Sequence, residues 1–136
     1  MKSQEKIVSN PAELFDSRQF GFSQIVTSKP GKHVFISGQV AWDNELNLVG
    51  KNDLSMQTEK SLENIKKAIK SAGGELEDIV MLRIYIVDSV EEYSIIISDR
   101  LKEYFGESNP PCSTWLRVSG LANEGFLIEI EAQAVI

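Results

Sequence analysis

The sequence predicts an α+β fold in which two helices cover one face of a mixed β-sheet. Hydrophobic residues change along the chain between a two-residue period and a three-to-four-residue period, and the elements follow the order ββαβαββ. With 136 residues, 42% of them hydrophobic, the chain is long enough to bury a core without a disulfide or a structural metal. We therefore expect a single domain over residues 1–136, in which residues 1–20 precede the core elements.

The first two strands are predicted at Gln24–Ser28 and His33–Trp42. The segment between them, Lys29–Lys32, contains Pro-Gly and is typical of a turn, so the two strands predict a β-hairpin. Gly38 interrupts the second strand, where it indicates either a bulge or the close approach of a backbone or a ligand. The segment Leu46–Gly50 fits a short edge strand or a loop.

Two helices follow from the spacing of apolar residues and from their capping residues. The first spans about 53–72, with Asp53 as its N-cap and Gly73 as its stop signal. The second opens at Ser89, carries Glu92 at the capping-box position and runs to about residue 105.

Three further strands are predicted at Ile79–Asp88, Ser113–Ser119 and Phe126–Val135. The last one alternates strictly, with glutamates and glutamine on one face and isoleucine and alanine on the other. Two helices cannot cover both faces of such a sheet, yet its opposite face also carries valine, tyrosine, tryptophan and leucine. An uncovered and partly apolar sheet face indicates oligomerisation or a ligand site.

Charge and composition exclude several classes of function. The chain has 14 Lys+Arg against 20 Asp+Glu, a net charge of -6, and its basic residues form no stripe, which disfavours nucleic acid and anionic membranes as partners. One cysteine, Cys112, and one histidine, His33, exclude an internal disulfide and disfavour a metal site. No cofactor is expected, and the partner is expected to be a small molecule. The sequence lacks a secretory or membrane-spanning apolar run, so a cytoplasmic location is expected.

Glu129 and Glu131 are the main candidates for acid-base chemistry. They lie two residues apart on one strand, so both carboxylates face the same way. Such a pair forms either a solvated face or a pocket in which one carboxylate positions a water molecule. Ser37 lies beside Gly38. Its hydroxyl is predicted either to hydrogen-bond a substrate or to hydrogen-bond nearby backbone groups.

Other reactive side chains have less support. Cys112 follows two prolines and lacks a neighbouring base, because His33 belongs to another strand, so a packing role is favoured over a nucleophilic one. Arg83 and Arg117 lie on strands, where either guanidinium could bind a carboxylate through its planar fork.

Several separate motifs, in this order and spacing, resemble the RidA family, also called YjgF or L-PSP. The motifs are Gly21–Gln24, Phe35–Gln39, Gln57 with Ser61–Ile65, Ala72–Gly74, Asp78–Val80, Asn109–Pro111 and Ile128–Ala132. The resemblance covers nearly the whole chain after residue 20. It implies a chorismate-mutase-like fold, a homotrimer packed through its sheets, and three ligand clefts at the subunit interfaces.

The resemblance also implies an activity. Family members with the full active-site motif hydrolyse reactive enamines and imines, such as 2-aminoacrylate, to keto acids and ammonia without a metal or an organic cofactor. In them an arginine near the proline-rich strand start binds the substrate carboxylate. A tyrosine and the serine of the Ser-Gly-Gln motif line the cleft, and the first glutamate of the Glu-Ile-Glu motif positions water.

This sequence keeps part of that set. Ser37 and Glu129 match residue by residue, whereas Phe22 stands in place of the tyrosine. The carboxylate-binding position holds Cys112 when counted from the proline pair, or Thr114 when counted back from the Glu-Ile-Glu motif. Neither register restores the arginine, so the chain resembles an Arg-lacking branch of the family.

We expect a cleft that combines the matched residues and their replacements, with Arg117 as a further candidate for substrate binding. Arg117 lies on the same strand as Cys112, and the strand alternation turns it to the opposite face unless a bulge intervenes. Two hypotheses stay open: an enamine or imine deaminase-type hydrolase with weak activity on 2-aminoacrylate, or a non-catalytic trimeric module that binds a metabolite or a protein. Ribonuclease activity, also attached to the family, is disfavoured by the net charge of -6.

Overall fold

The computed structural model describes residues 6–136 as two helices packed on one face of a four-stranded sheet, with a separate two-stranded ribbon. The elements are β1 (Lys6–Ser9), β2 (Ile25–Ser28), β3 (His33–Gln39), α1 (Leu54–Ser71), β4 (Ile79–Val87), α2 (Tyr93–Phe105), β5 (Cys112–Val118) and β6 (Ile128–Val135). Short 3-10 turns span Ser17–Phe20 and Leu76–Asp78. The predicted α+β class is confirmed.

The last strand of the chain occupies the middle of the sheet. The strand order is β3-β6-β4-β5, with β6 antiparallel to both of its neighbours and β4 parallel to β5. The sheet is therefore mixed, as predicted. Alternation along β6 buries Ile128 and Ile130 completely under the helices and turns Glu129 and Glu131 to the other face.

The helices fill the covered face with branched aliphatic side chains. From α1, Leu62, Ile65 and Ile69 are completely buried, and Ile97 and Leu101 of α2 are buried beside them. Burying one such side chain contributes about 1.5 to 3 kcal/mol, so this layer supplies most of the driving force for docking the helices.

The predicted caps of the first helix are present. The Asp53 carboxylate accepts a hydrogen bond from the backbone N–H of Met56 at 3.0 Å, and Gly73 adopts φ +94° just past the C-cap.

The prediction for the start of the second helix was wrong. α2 begins at Tyr93, and Glu92 precedes it with φ +55° and no side-chain capping bond. Ser89 lies instead in a turn, because Asp88 N–H donates to Val118 at 2.8 Å and Val90 N–H donates to the Val87 carbonyl. These contacts hold the chain to the end of β5 and delay the helix.

The predicted hairpin of β2 and β3 was also wrong. β2 pairs antiparallel with β1, whereas β3 pairs with β6 from His33 opposite Val135. Lys32 and Ile136 exchange two backbone hydrogen bonds of 2.7 and 2.8 Å that extend this pairing beyond the strand. The segment Leu46–Gly50, for which strand and loop were both open, is a loop with one bridge between Trp42 and Leu48.

A buried lysine joins the two-stranded ribbon to the main sheet. Lys6 Nζ donates to the carbonyl of Ile79 at 2.8 Å and to that of Asn109 at 3.0 Å. Burial lowers the pKa of Lys6 to about 8, although the charges of Asp78 and Glu77 oppose the shift. The ribbon is thereby fixed beside the start of β4.

The face of the sheet opposite the helices is uncovered, as predicted. Large apolar side chains project from it, with Phe35 73% exposed on β3 and Leu116 48% exposed on β5.

Gln57 on α1 is a completely buried polar residue that joins two loops. Its Nε2 donates to the carbonyls of Gly50 at 3.0 Å and Gly125 at 2.9 Å, and its Oε1 accepts from Leu127 N–H at 2.9 Å. Gln57 therefore fixes the entry to β6.

We expect Gln57→Ala to lower the free energy of unfolding by about 3 kcal/mol, because it removes three hydrogen bonds made by a completely buried side chain, each contributing about 1 kcal/mol. Urea-induced unfolding at a fixed protein concentration measures the effect. Met56→Ala, at the neighbouring exposed position, is the matched control and should change stability by no more than about 0.5 kcal/mol. Equal stability of the two variants would contradict the role of Gln57.

Candidate functional site

The uncovered face carries two rows of side chains across β5, β4 and β6. In the first row, Thr114 lies opposite Arg83, which in turn lies opposite Glu131. The second row holds Leu116, Tyr85 and Glu129 in the same order. Paired residues of neighbouring strands project from the same face, so these six side chains share one surface.

Gly38 lies in a bulge of β3 and contacts Glu129. The pairing of β3 with β6 is regular up to Ile36 and resumes at Gln39, so Ser37 and Gly38 together face a single residue of β6. The sequence left a bulge and a close approach as alternatives at Gly38, and the strand pairing shows a bulge. A Cβ atom at Gly38 would overlap the carboxylate of Glu129, so the close approach comes from this side chain.

The two glutamates of β6 have different surroundings. Glu131 accepts a hydrogen bond from the Tyr85 hydroxyl and lies 3.9 Å from Arg83 Nη1. The Glu129 carboxylate makes no hydrogen bond or ion pair within residues 6–136, and the exposed hydroxyl of Ser37 makes no hydrogen bond there either. Glu131 is thus committed to neighbouring side chains, whereas Glu129 is available to water or a ligand.

The pKa of the Tyr85 hydroxyl depends on its contact with Glu131. Its hydrogen bond to Glu131 raises the pKa of the Tyr85 hydroxyl, with smaller contributions in the same direction from burial and from the charges of Glu131 and Glu129. Arg83 opposes the shift. The hydroxyl therefore stays protonated and keeps Glu131 in place.

A second candidate surface is a groove of about 450 Å³ along the free edge of β5. Its walls are mainly aromatic, and its lining residues are Phe15, Phe20, Phe22, Gln24, Tyr93, Ser94, Ser113, Thr114 and Trp115. The Phe22 ring lies 5.8 Å from that of Trp115 and 6.5 Å from that of Phe20, measured between ring centroids. A bridge between Ser23 and Cys112 holds this segment against the start of β5.

Cys112 has the surroundings of a packing residue. Its Sγ lies 3.2 Å from the Val80 carbonyl, and burial raises the pKa of the thiol. A raised pKa disfavours the thiolate, which is the nucleophilic form. This environment agrees with the structural interpretation of Cys112.

Arg117 lies on the helix side of the sheet. The pairing of β5 with β4 is continuous, so no bulge alters the alternation between Thr114 and Arg117. The guanidinium lies over the Tyr93 ring, 4.8 Å from its centroid, and donates to the carbonyls of Asp88 and Val90. Arg117 therefore does not join Ser37 and Glu129 on the uncovered face.

Within one chain, the residues expected in a single cleft form two separate groups. Ser37 and Glu129 lie on β3 and β6, whereas Phe22, Cys112 and Thr114 lie on or beside β5. Since β4 separates β5 from β6, and neighbouring strands are about 4.8 Å apart, the groups are about 10 Å apart across the sheet. We call them the carboxylate half-site and the edge half-site.

Sequence reasoning missed most of the aromatic wall. Its missed residues are Phe15, just before the first 3-10 turn, Phe20 within that turn, Tyr93 of α2 and Trp115 of β5, and only folding brings them together. The available signal was the cluster of phenylalanines at positions 15, 20 and 22, which is unusual for a segment that precedes the core.

Two further findings concern the described part of the chain. No helix in residues 6–136 is long and apolar enough to cross a membrane. In the same range, no group of three or more histidine, cysteine, aspartate and glutamate side chains is placed to hold a metal ion.

A mixed sheet with two helices on one face, in the arrangement of a Rid family crystal structure, is the architecture of a Rid-type domain. The chain belongs to the Endoribonuclease L-PSP family, whose model matches residues 17–136. The predicted family is thereby confirmed.

Known relatives agree with this assignment. A RutC family protein of Pyrococcus abyssi is 35% identical over 113 residues, which cover 83% of this chain and 84% of that protein. The crystal structure of YyfB, a Rid family protein of unknown function from Yersinia pestis, has a TM-score of 0.92 at 35% identity and covers 97% of this chain and 99% of that chain. RidA from an Antarctic Psychrobacter has a TM-score of 0.69 at 26% identity, covering 89% and 97%.

We expect Glu131→Gln to lower the pKa of Tyr85 toward its ordinary value near 10, because the variant removes the charged acceptor. Because folding raises the pKa of Tyr85, its protonated hydroxyl stabilises the folded protein fully at pH values below the ordinary tyrosine pKa. This stabilisation is lost as the pH rises through the raised pKa of the folded state. A titration of ¹³Cζ-labelled tyrosines by NMR measures the midpoint. Tyr104, whose pKa is raised mainly by burial, is the internal control and should not move. An unchanged Tyr85 midpoint would exclude Glu131 as the cause.

Proposed function

We propose that this protein is a cofactor-independent hydrolase that converts a small reactive imine or enamine to a carbonyl compound and ammonia. The observation that carries the proposal is the Glu129 carboxylate, which lies against Gly38 and has no partner within residues 6–136. A carboxylate held in place but not neutralised is suited to act as a general base.

The reaction needs one activated water molecule and two proton relays through Glu129. Glu129 accepts a proton from water as the water oxygen bonds to the imine carbon, and it passes this proton to the imine nitrogen to give a neutral carbinolamine. Glu129 then accepts the hydroxyl proton and passes it to the nitrogen as the carbon-nitrogen bond breaks, so that the carbonyl forms, ammonia leaves and the carboxylate is regenerated. The exposed hydroxyl of Ser37, in the adjoining bulge, is placed to bind a polar atom of the substrate.

The substrate is expected to lack a carboxylate, because neither position that the family resemblance assigns to the carboxylate-binding arginine holds one. Cys112 and Thr114 at the start of β5 are uncharged, Arg117 is turned to the helix side, and Arg83 lies beside Glu131. A charge-assisted hydrogen bond contributes about 1.5 to 3 kcal/mol. The absence of such a bond to the substrate carboxylate disfavours 2-aminoacrylate as the main substrate.

The proposal includes a homotrimer in the cytoplasm. One chain separates the carboxylate half-site from the edge half-site, so contact between copies is required to complete a cleft. Phe35 and Leu116 on the uncovered face provide apolar surface for such a contact. In this arrangement β5 of one copy approaches β3 and β6 of the next.

The missing arginine also favours a second candidate, a trimeric module that binds a metabolite or a protein without turnover. Turnover that depends on Glu129 distinguishes the hydrolase from the binding module, because ligand binding alone does not require a general base.

We expect Glu129→Gln to lower the rate of imine hydrolysis by at least about 100-fold, since an amide cannot accept the proton from water. The assay follows ammonia release from imines generated in place by oxidation of primary amines and of amino acids. Glu131→Gln, two residues along the same face, is the matched control and should retain most of the rate. If the wild-type protein accelerates hydrolysis of no imine in the panel, the hydrolase is excluded and the binding module is favoured.

Light scattering is expected to give a mass three times that of the 15.2 kDa chain. Leu116→Lys should shift the mass toward the monomer, because it places a charge in the proposed contact. Ile95→Lys is the matched control, since Ile95 is an exposed aliphatic residue on α2, on the other side of the sheet. A stable wild-type monomer at micromolar concentration would refute the trimer.

A further inference from the structure

The groove along β5 has rigid aromatic walls. Trp115 Nε1 donates to Ser113 Oγ at 2.9 Å, which satisfies the indole N–H and fixes the ring. The Phe20 and Phe22 rings are stacked at an angle of 25°, and both contact Trp115. The walls therefore present ring surfaces that are ordered before any ligand binds, which lowers the entropic cost of binding.

The groove carries no charge. None of the nine residues that line it is acidic or basic. Two arginines lie close to its lining residues: Arg117 lies over the Tyr93 ring and is bonded to backbone carbonyls, and Arg83, opposite Thr114 on β4, lies 3.9 Å from Glu131. A carboxylate in this groove would lose hydration without gaining an ionic partner, so a neutral ligand is favoured.

The groove is also large for a three-carbon substrate. Its volume of about 450 Å³ falls within the range of about 300 to 1,000 Å³ typical of pockets for larger organic ligands. Aromatic walls prefer an aromatic guest, because offset or edge-to-face contacts between rings add to the burial of apolar area.

The groove adjoins the edge half-site. Thr114 belongs to both, and its exposed side chain makes no hydrogen bond within residues 6–136. A ring bound against the Phe22 and Trp115 rings would therefore leave its polar end near Thr114, on the side toward which the carboxylate half-site of a second copy is proposed to face.

We propose that the groove selects an uncharged imine with an aromatic side chain, the imine of an arylalkylamine. This inference rests on the proposed function and specifies its substrate class. The reaction is R–CH=NH plus H₂O giving R–CHO plus NH₃, where R carries the ring, and it requires no oxidant or reductant. The reaction that supplies this substrate is the two-electron oxidation of a primary amine, and a reaction that oxidises or reduces an aldehyde consumes the product.

Binding of stable probes tests the ligand class without turnover. 2-Phenylacetamide is a neutral aromatic analogue of the imine, phenylacetate adds a charge, and acetamide lacks the ring. By isothermal calorimetry on the wild-type protein, we expect 2-phenylacetamide to bind at least about tenfold more tightly than either of the others. Phe22→Ala should remove most of that preference, whereas Leu46→Ala, in an exposed loop outside the groove, should keep it.

Turnover tests the same selectivity in the proposed reaction. The imine of 2-phenylethylamine should be hydrolysed at least about tenfold faster, at low substrate concentration, than the imine of phenylalanine, which has the same ring and a carboxylate. Thr114→Arg should shift the preference toward the phenylalanine imine, because it introduces a carboxylate ligand at the rim of the groove.

The outcomes distinguish the two proposals. Hydrolysis that depends on Glu129 but shows no preference for the neutral aromatic imine, together with equal affinity for the three probes, would overturn the inference and leave the hydrolase intact. Selective binding of 2-phenylacetamide without hydrolysis of any imine would overturn the hydrolase and support the neutral aromatic ligand class.

Discussion

The insertion of β6 between β3 and β4 is the constraint on which the rest of the structure depends. A central strand with a strict two-residue alternation must give each face of the sheet a different character. The isoleucines and alanines of β6 create the face that the helices cover, and the same alternation places Glu129 and Glu131 on the face they leave open. A shift of one residue in this pairing would bury both carboxylates, so the register that builds the core also builds the candidate site.

The bulge in β3 makes two similar glutamates chemically different. Gly38 lacks the Cβ that would collide with Glu129, so this carboxylate settles against the backbone and away from other side chains. Glu131 instead lies beside a tyrosine hydroxyl and a guanidinium, which satisfy it. The position of the Glu129 carboxylate therefore depends on a missing side chain on a neighbouring strand.

The free edge of β5 has a complementary role. An edge strand leaves one side open, and here the segment around Phe22 and the start of α2 flank that side without closing it. The resulting groove is aromatic, and none of its lining residues is charged. This lining favours a neutral ligand over an ionic one.

The sequence by itself determined the α+β class, the caps of α1 and the facing of the β6 glutamates, and it left a bulge at Gly38 and the side taken by Arg117 open for the strand pairing to decide. The first three follow from local period, local capping or strand alternation. The pairing of β2 with β1, the late start of α2 and the aromatic groove were decided only by the tertiary structure. They depend on contacts between residues far apart in the chain, such as Lys32 with Ile136 and Phe22 with Trp115, and a local pattern carries no information about which distant partner offers the better contact.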